Sequence, residues 1–199
     1  MTFVTLQSRY IPLLQKPNCC AVTCLQMILY RNGCGLFDLE ALAKWFGVKI
    51  DETDAQLFNV KLDIMTSANC DEGISTVESD GDINKFLGER KLPLRATAYK
   101  TAQIASLQDF LEEHLSADHD VWLEYHGDDI HADDHYRGYQ GRYIHDSLIE
   151  SIDLDKRMAV IVDPMPEHRQ RYEMSFDLIE KAISSAYGKE TGFIIIEKA

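Results

Sequence analysis

Gln15-Lys16-Pro17-Asn18-Cys19-Cys20-Ala21-Val22-Thr23-Cys24-Leu25-Gln26-Met27-Ile28-Leu29 is the stretch on which the reading of the fold turns. Asn18 is a good helix N-cap, and Ala21, Cys24, Leu25, Ile28 and Leu29 then fall on one face at helical spacing. Asn32-Gly33 supplies the stop. The spacing predicts a helix with Cys19 and Cys20 in its first turn. N–H groups point outward there and the helix dipole is positive, so a thiol should ionise more easily than usual. The same N–H groups can hold the oxyanion of an acyl-transfer intermediate. Gln15, a few residues upstream, offers a side-chain amide to that oxyanion.

A nucleophile of this kind needs a base, and the second half of the chain offers one. Tyr143 to Ile152 and Met158 to Val162 read as strands, with Asp153-Leu154-Asp155-Lys156-Arg157 as the turn between them. A two-residue turn at 154 and 155 would pair 153 with 156 and set residue 145 opposite about residue 164. Asp163 then falls within a residue or two of His145, where cross-strand side chains meet. A carboxylate on one imidazole nitrogen fixes the tautomer and turns the other nitrogen towards the thiol.

Tyr10-Ile11-Pro12-Leu13-Leu14-Gln15, Asn18-Cys19-Cys20 and Cys24-Leu25-Gln26-Met27-Ile28-Leu29 together resemble the start of the bacteriocin-leader-peptidase-like (double-glycine peptidase-like) branch of the papain superfamily. Asp38 to Val48 resembles the small helix that follows in that branch. Tyr143-Ile144-His145 through Ile161-Val162-Asp163-Pro164 resembles its other half. The resemblance implies a cysteine hydrolase with Cys20 as nucleophile, His145 as base, Asp163 as orienting acid and Gln15 at the oxyanion hole. It departs at Ala21, where the family usually has Gly, and at Gln15, which stands one position closer to the cysteine than is commonest.

The rest of the chain suits that architecture. Asp38 opens a short helix with Leu39, Leu42, Ala43 and Phe46 on one face, and Gly47 ends it. Further helices are expected around Ile83, Phe86 and Leu87, after the cap Ser106, and after the cap Ser175 with Phe176, Ile179, Ile183 and Ala186 inward. Strands are expected at Leu94 to Tyr99, Val121 to Tyr125 and Gly192 to Glu197. Residues 49 to 78 show no clear pattern. Helices gather in the first half and strands in the second, which predicts an α+β, papain-like two-lobed fold with the helical half packed on an antiparallel sheet. One domain over residues 1–199 is expected, with a loop insertion at 127–141.

Composition narrows the partners. The 199 residues carry a formal net charge of -13, so nucleic acid and anionic membrane are disfavoured and a peptide or protein substrate is the better match. No stretch reaches the ~18 apolar residues of a membrane span. Met1-Thr2-Phe3-Val4 opens no secretory signal. A cytoplasmic protein is the expectation. Five cysteines, three of them crowded at Cys19, Cys20 and Cys24, make poor disulfide material.

No cofactor and no metal is expected. The three clustered cysteines lack knuckle spacing. The stretch His126-Gly127-Asp128-Asp129-Ile130-His131-Ala132-Asp133-Asp134-His135 fits neither an EF-hand nor H-E-x-x-H. It reads as a solvated acidic loop bordering the site, suited to be a substrate-selecting lid. Cys24, Trp45 and Trp122 read as core, Cys34 and Cys70 as spectators, and His168-Arg169-Gln170-Arg171 as a charged surface turn. Two other functions fit the same residues: acyl transfer or deamidation through the same triad, and a catalytically silent binding module.

Overall fold

The computed structural model describes residues 2–65, 80–127, 144–167, 169–184 and 191–199. The Asp/His-rich segment beyond Gly127, Cys70, His168 and Ala186 lie outside them.

The stretch from Gln15 to Leu29 leads into helix α1 (Cys20–Arg31), buried along its length from Ala21 to Leu29. It ends at Asn32 with Gly33 in the left-handed region, as the sequence requires. Helix α2 (Leu39–Trp45) is capped by Asp38, whose carboxylate accepts from the Ala41 N–H at 2.8 Å. After it come a two-residue strand β2 (Lys49–Ile50), a 3-10 turn at Glu52–Leu57, and β3 (Asp63–Ile64), parallel to β2. Helix α3 (Asp80–Glu89) turns Ile83, Phe86 and Leu87 inward.

The remaining strands form one sheet. These are β4 (Leu94–Lys100), β5 (Asp120–His126), β6 (Ile144–Asp153), β7 (Met158–Val162), β8 (Arg171–Ser175) and β9 (Gly192–Lys198). Their spatial order is β4-β9-β5-β6-β7-β8, every neighbour antiparallel. The N-terminal strand β1 (Phe3–Thr5) adds to the far end of β6. Helices α4 (Leu107–Ser116) and α5 (Phe176–Ile183) are opened by Ser106 and Ser175, each accepting from the main chain three residues on. The architecture is α+β with a large antiparallel sheet, as expected. β1 and β8 are additional to the expectation, and Arg171 belongs to β8 rather than to a surface turn.

Strand β5 is buried throughout and β6 is buried from His145 onward, so both faces of the sheet centre are covered. Yet β6 carries His145, Asp146, Ser147, Glu150 and Asp153 inside the protein. Buried polar groups persist only where they are bonded, and each of these is. Ser147 meets the Tyr125 hydroxyl at 3.2 Å, and Asp153 accepts from the Lys156 N–H at 3.1 Å.

Glu150 sits at a bulge, between the pairs Ile149↔Ile161 and Ser151↔Val160. Its carbonyl accepts from the Leu6 N–H, and its carboxylate accepts from the Tyr10 N–H and the Arg171 guanidinium. The chain before α1 is thereby pinned along the sheet. Its last tie is the Gln15 N–H donating to the Pro164 carbonyl at 2.8 Å. That bond sets Gln15 beside the Asp163-Pro164 end of β7.

Candidate active site

Cys20 is the first residue of α1, half-buried, with Cys19 at the cap position. Asn18 is not the cap. It takes a left-handed backbone (φ 58) and its side chain donates to the Lys49 carbonyl at 3.1 Å. Asn tolerates that conformation better than most residues, and a tertiary acceptor outcompetes the local capping bond. Cys19 is fully buried, and burial pushes its thiol up to about 12.

The expected hairpin is present with a different turn. Asp153 pairs with Met158 across four residues, and the bulge shifts the register so that Leu148 faces Val162. Asp163 then lies diagonally across from His145, within side-chain reach. The His145 Nε2 and Asp163 Oδ1 are 2.8 Å apart, and both residues are almost wholly buried. Asp163 is held from three sides: Oδ1 also accepts from the Met165 N–H at 2.9 Å, and Oδ2 from the Tyr172 hydroxyl at 2.9 Å. The Tyr125 ring packs edge-on against the imidazole, centroids 5.5 Å apart.

The thiol of Cys20 donates to Asp146, not to His145: Sγ lies 3.3 Å from Asp146 Oδ2. Strand side chains alternate, so His145 and Asp146, adjacent in β6, leave by opposite faces. The thiol has taken the second of the two. The N–H groups of Ala21 and Asp146 both favour its ionised form. Cys20 thus stands one residue along the strand from His145.

The expectation of an easily ionised thiol is overturned. Burial, then the Asp146 charge and its hydrogen bond, push the Cys20 thiol well above its ordinary value, and the two N–H groups offset only part of this. Asp146 is itself 2% exposed, and its Oδ1 accepts from the Trp122 indole N–H at 2.8 Å. Trp122 is core, as its pattern indicates, but its polar edge orients a carboxylate at the site.

Gln15 places its side-chain Oε1 in a buried position with no hydrogen-bond partner among the described residues. Cys24 is fully buried one turn along α1 from Cys20. Among the described residues, no group of three or more His, Cys, Asp or Glu could hold a metal ion. No described helix is long and apolar enough to cross a membrane.

Asp146, Tyr172 and Trp122 are the site residues that sequence reasoning missed. A usable signal existed for one of them: a buried tryptophan N–H usually finds a partner.

No family model matches the sequence, and no curated protein does. Solved structures do match. The crystal structure of a "putative C39-like peptidase" from Bacillus anthracis aligns over 100% of this chain and 99% of its own, with TM-score 0.62 and 16% identity. The chain has the C39-like, papain-type fold. A double-glycine motif protease from an AMS/PCAT transporter, solved in complex with its leader peptide, aligns over 98% of this chain and 96% of its own at TM-score 0.48 and 12% identity. At 16% identity the first of these likenesses speaks for the fold alone.

Proposed function

We propose that the chain is a cysteine hydrolase that cleaves a peptide or isopeptide bond through Cys20, His145 and Asp163. One observation carries this reading. A cysteine opens a buried helix, its sulfur lies against the strand residue that follows a histidine, and that histidine is bonded to a buried aspartate. Nothing in packing alone calls for a His–Asp pair at 1% and 0% exposure beside a helix-opening thiol.

In this reading the resting thiol keeps its proton. In this step the thiol leaves Asp146 and comes round to the His145 side of β6; as Sγ attacks the substrate carbonyl, the proton passes to Nδ1 of His145, since Nε2 is engaged by Asp163. The imidazolium then delivers it to the leaving amine, and water resolves the acyl-enzyme. The first N–H groups of α1 and the Gln15 amide stabilise the oxyanion. Such a general-base route does not need a preformed thiolate, which suits a thiol pushed upward. The test is incubation with a mixed peptide library and mass analysis of the products, with Cys20→Ala as the control. Cleavage lost in Cys20→Ala supports the proposal; cleavage that survives it sinks the assignment. Product mass also separates hydrolysis from deamidation or a new amide.

A second reading, a silent binding module with the same fold, is favoured by the Cys20–Asp146 bond. It predicts retention of peptides without change in their mass.

A further inference from the structure

Asp146 plays no part in the triad, yet it is the residue that touches the nucleophile. Its carboxylate is buried, fixed at one oxygen by the Trp122 indole, and aimed with the other at the Cys20 sulfur.

We propose that Asp146 is a brake built into the active site: its Trp122-clamped carboxylate holds the Cys20 thiol as a hydrogen-bond donor, and the thiol reacts only when that bond is broken. The inference rests on Cys20 being the nucleophile and deepens that reading. While Sγ–H donates to Oδ2, its proton is held by a neighbour that carries negative charge and resists formation of a second one. When the bond opens, the sulfur is released from the Asp146 charge and its proton can leave.

The other titratable groups around the thiol do not do this work. Cys24 lies one turn on along α1 and is itself pushed up by burial and by Asp146. Glu124 faces Asp146 across the β5–β6 pair, with His126 two residues on. His145 leaves by the opposite face, and Asp163 at the end of β7 is bonded to it. Asp146 alone both bonds and charges the thiol.

The test is the pH profile of Cys20 alkylation by iodoacetamide, mapped by peptide mass spectrometry in wild type, Asp146→Asn and His145→Ala. Asn keeps an oxygen for the Trp122 N–H and removes the charge. The expected result is a profile displaced to lower pH by one unit or more in Asp146→Asn, with labelling near neutral pH at least about tenfold faster. A profile superimposable on wild type, or displaced upward, overturns the proposal. The His145→Ala arm reports separately on the triad: slower Cys20 labelling upholds it, and an unchanged rate counts against it whatever Asp146→Asn does. If Asp146→Asn fails to fold, the wild type decides by its S–H stretching band, taken as the difference from Cys20→Ala. A band lowered as for a thiol bonded to a carboxylate supports the brake, and the band of an unbonded thiol overturns it.

Discussion

Replacing Asp163 should cost stability in one variant and chemistry in another, and the difference can be worked from its bonds. The carboxylate is fully buried and accepts three hydrogen bonds, from His145 Nε2, the Met165 N–H and the Tyr172 hydroxyl. Asp163→Ala leaves His145 Nε2 and the Met165 N–H buried without this acceptor and takes one partner from the half-buried Tyr172 hydroxyl, at ~1–3 kcal/mol each. The donors share one network and can relax together, so the sum is less than additive, about 3–6 kcal/mol. Against a typical domain stability of ~5–15 kcal/mol that is a large fraction. Asp163→Asn keeps an oxygen for His145 and Met165 and presents its NH₂ to the Tyr172 oxygen. It should cost only about 1 kcal/mol, while removing the charge that supports the His145 imidazolium. Urea unfolding of the two variants beside wild type gives both numbers. An Asp163→Ala protein within about 1 kcal/mol of wild type would refute the bond count.

Gly192→Ala should destabilise by about 1–3 kcal/mol or more, seen as a lowered Tm, because a Cβ there would lie 2.2 Å from the Tyr99 carbonyl oxygen in the paired strand β4. Arg31→Ala should cost about 3–5 kcal/mol in urea unfolding, since it strips the counter-charge from Asp118 and from Asp120, the latter 1% exposed. Alkaline stability should fall early. The Cys19 thiol moves from 9.0 in the free side chain to about 12 in the fold, so its contribution is complete below pH 9.0 and is lost as pH climbs through about 12, where the folded protein still holds a proton the unfolded chain has shed. Cys19→Ala should reduce the steepness of that loss by about 1.4 kcal/mol per pH unit in a urea series across this window.

The features legible in the sequence were those decided by near neighbours. Asp38, Ser106 and Ser175 cap helices because the acceptor and the N–H it satisfies are three residues apart. The hairpin that joins His145 to Asp163 could be set out from its two strands, and the bulge at Glu150 offsets half of the error in turn length. What stayed hidden was decided at long range. Asn18 reads as a cap until the Lys49 carbonyl, 31 residues away, is present to bond it. Strand β8 is polar because Arg171 pairs with Glu150 and the Tyr172 hydroxyl serves Asp163, which no periodicity can announce. Asp146 lies 126 residues from the thiol it bonds, so the first-turn position of Cys20 suggested an activated thiol where burial and a carboxylate impose the opposite.

The central claim is that Cys20 attacks carbonyls with His145 as its base, and acylation by an activated ester tests it most directly. Wild type, Cys20→Ala and His145→Ala would be mixed with p-nitrophenyl acetate, quenched over time and mapped by peptide mass spectrometry, with half-buried Cys34 as the internal reference. The account predicts acetylation of Cys20 followed by its loss to water, with both steps slowed about a hundredfold or more in His145→Ala and Cys34 unaffected by that change. Acetylation of Cys20 that is indifferent to His145→Ala would contradict it.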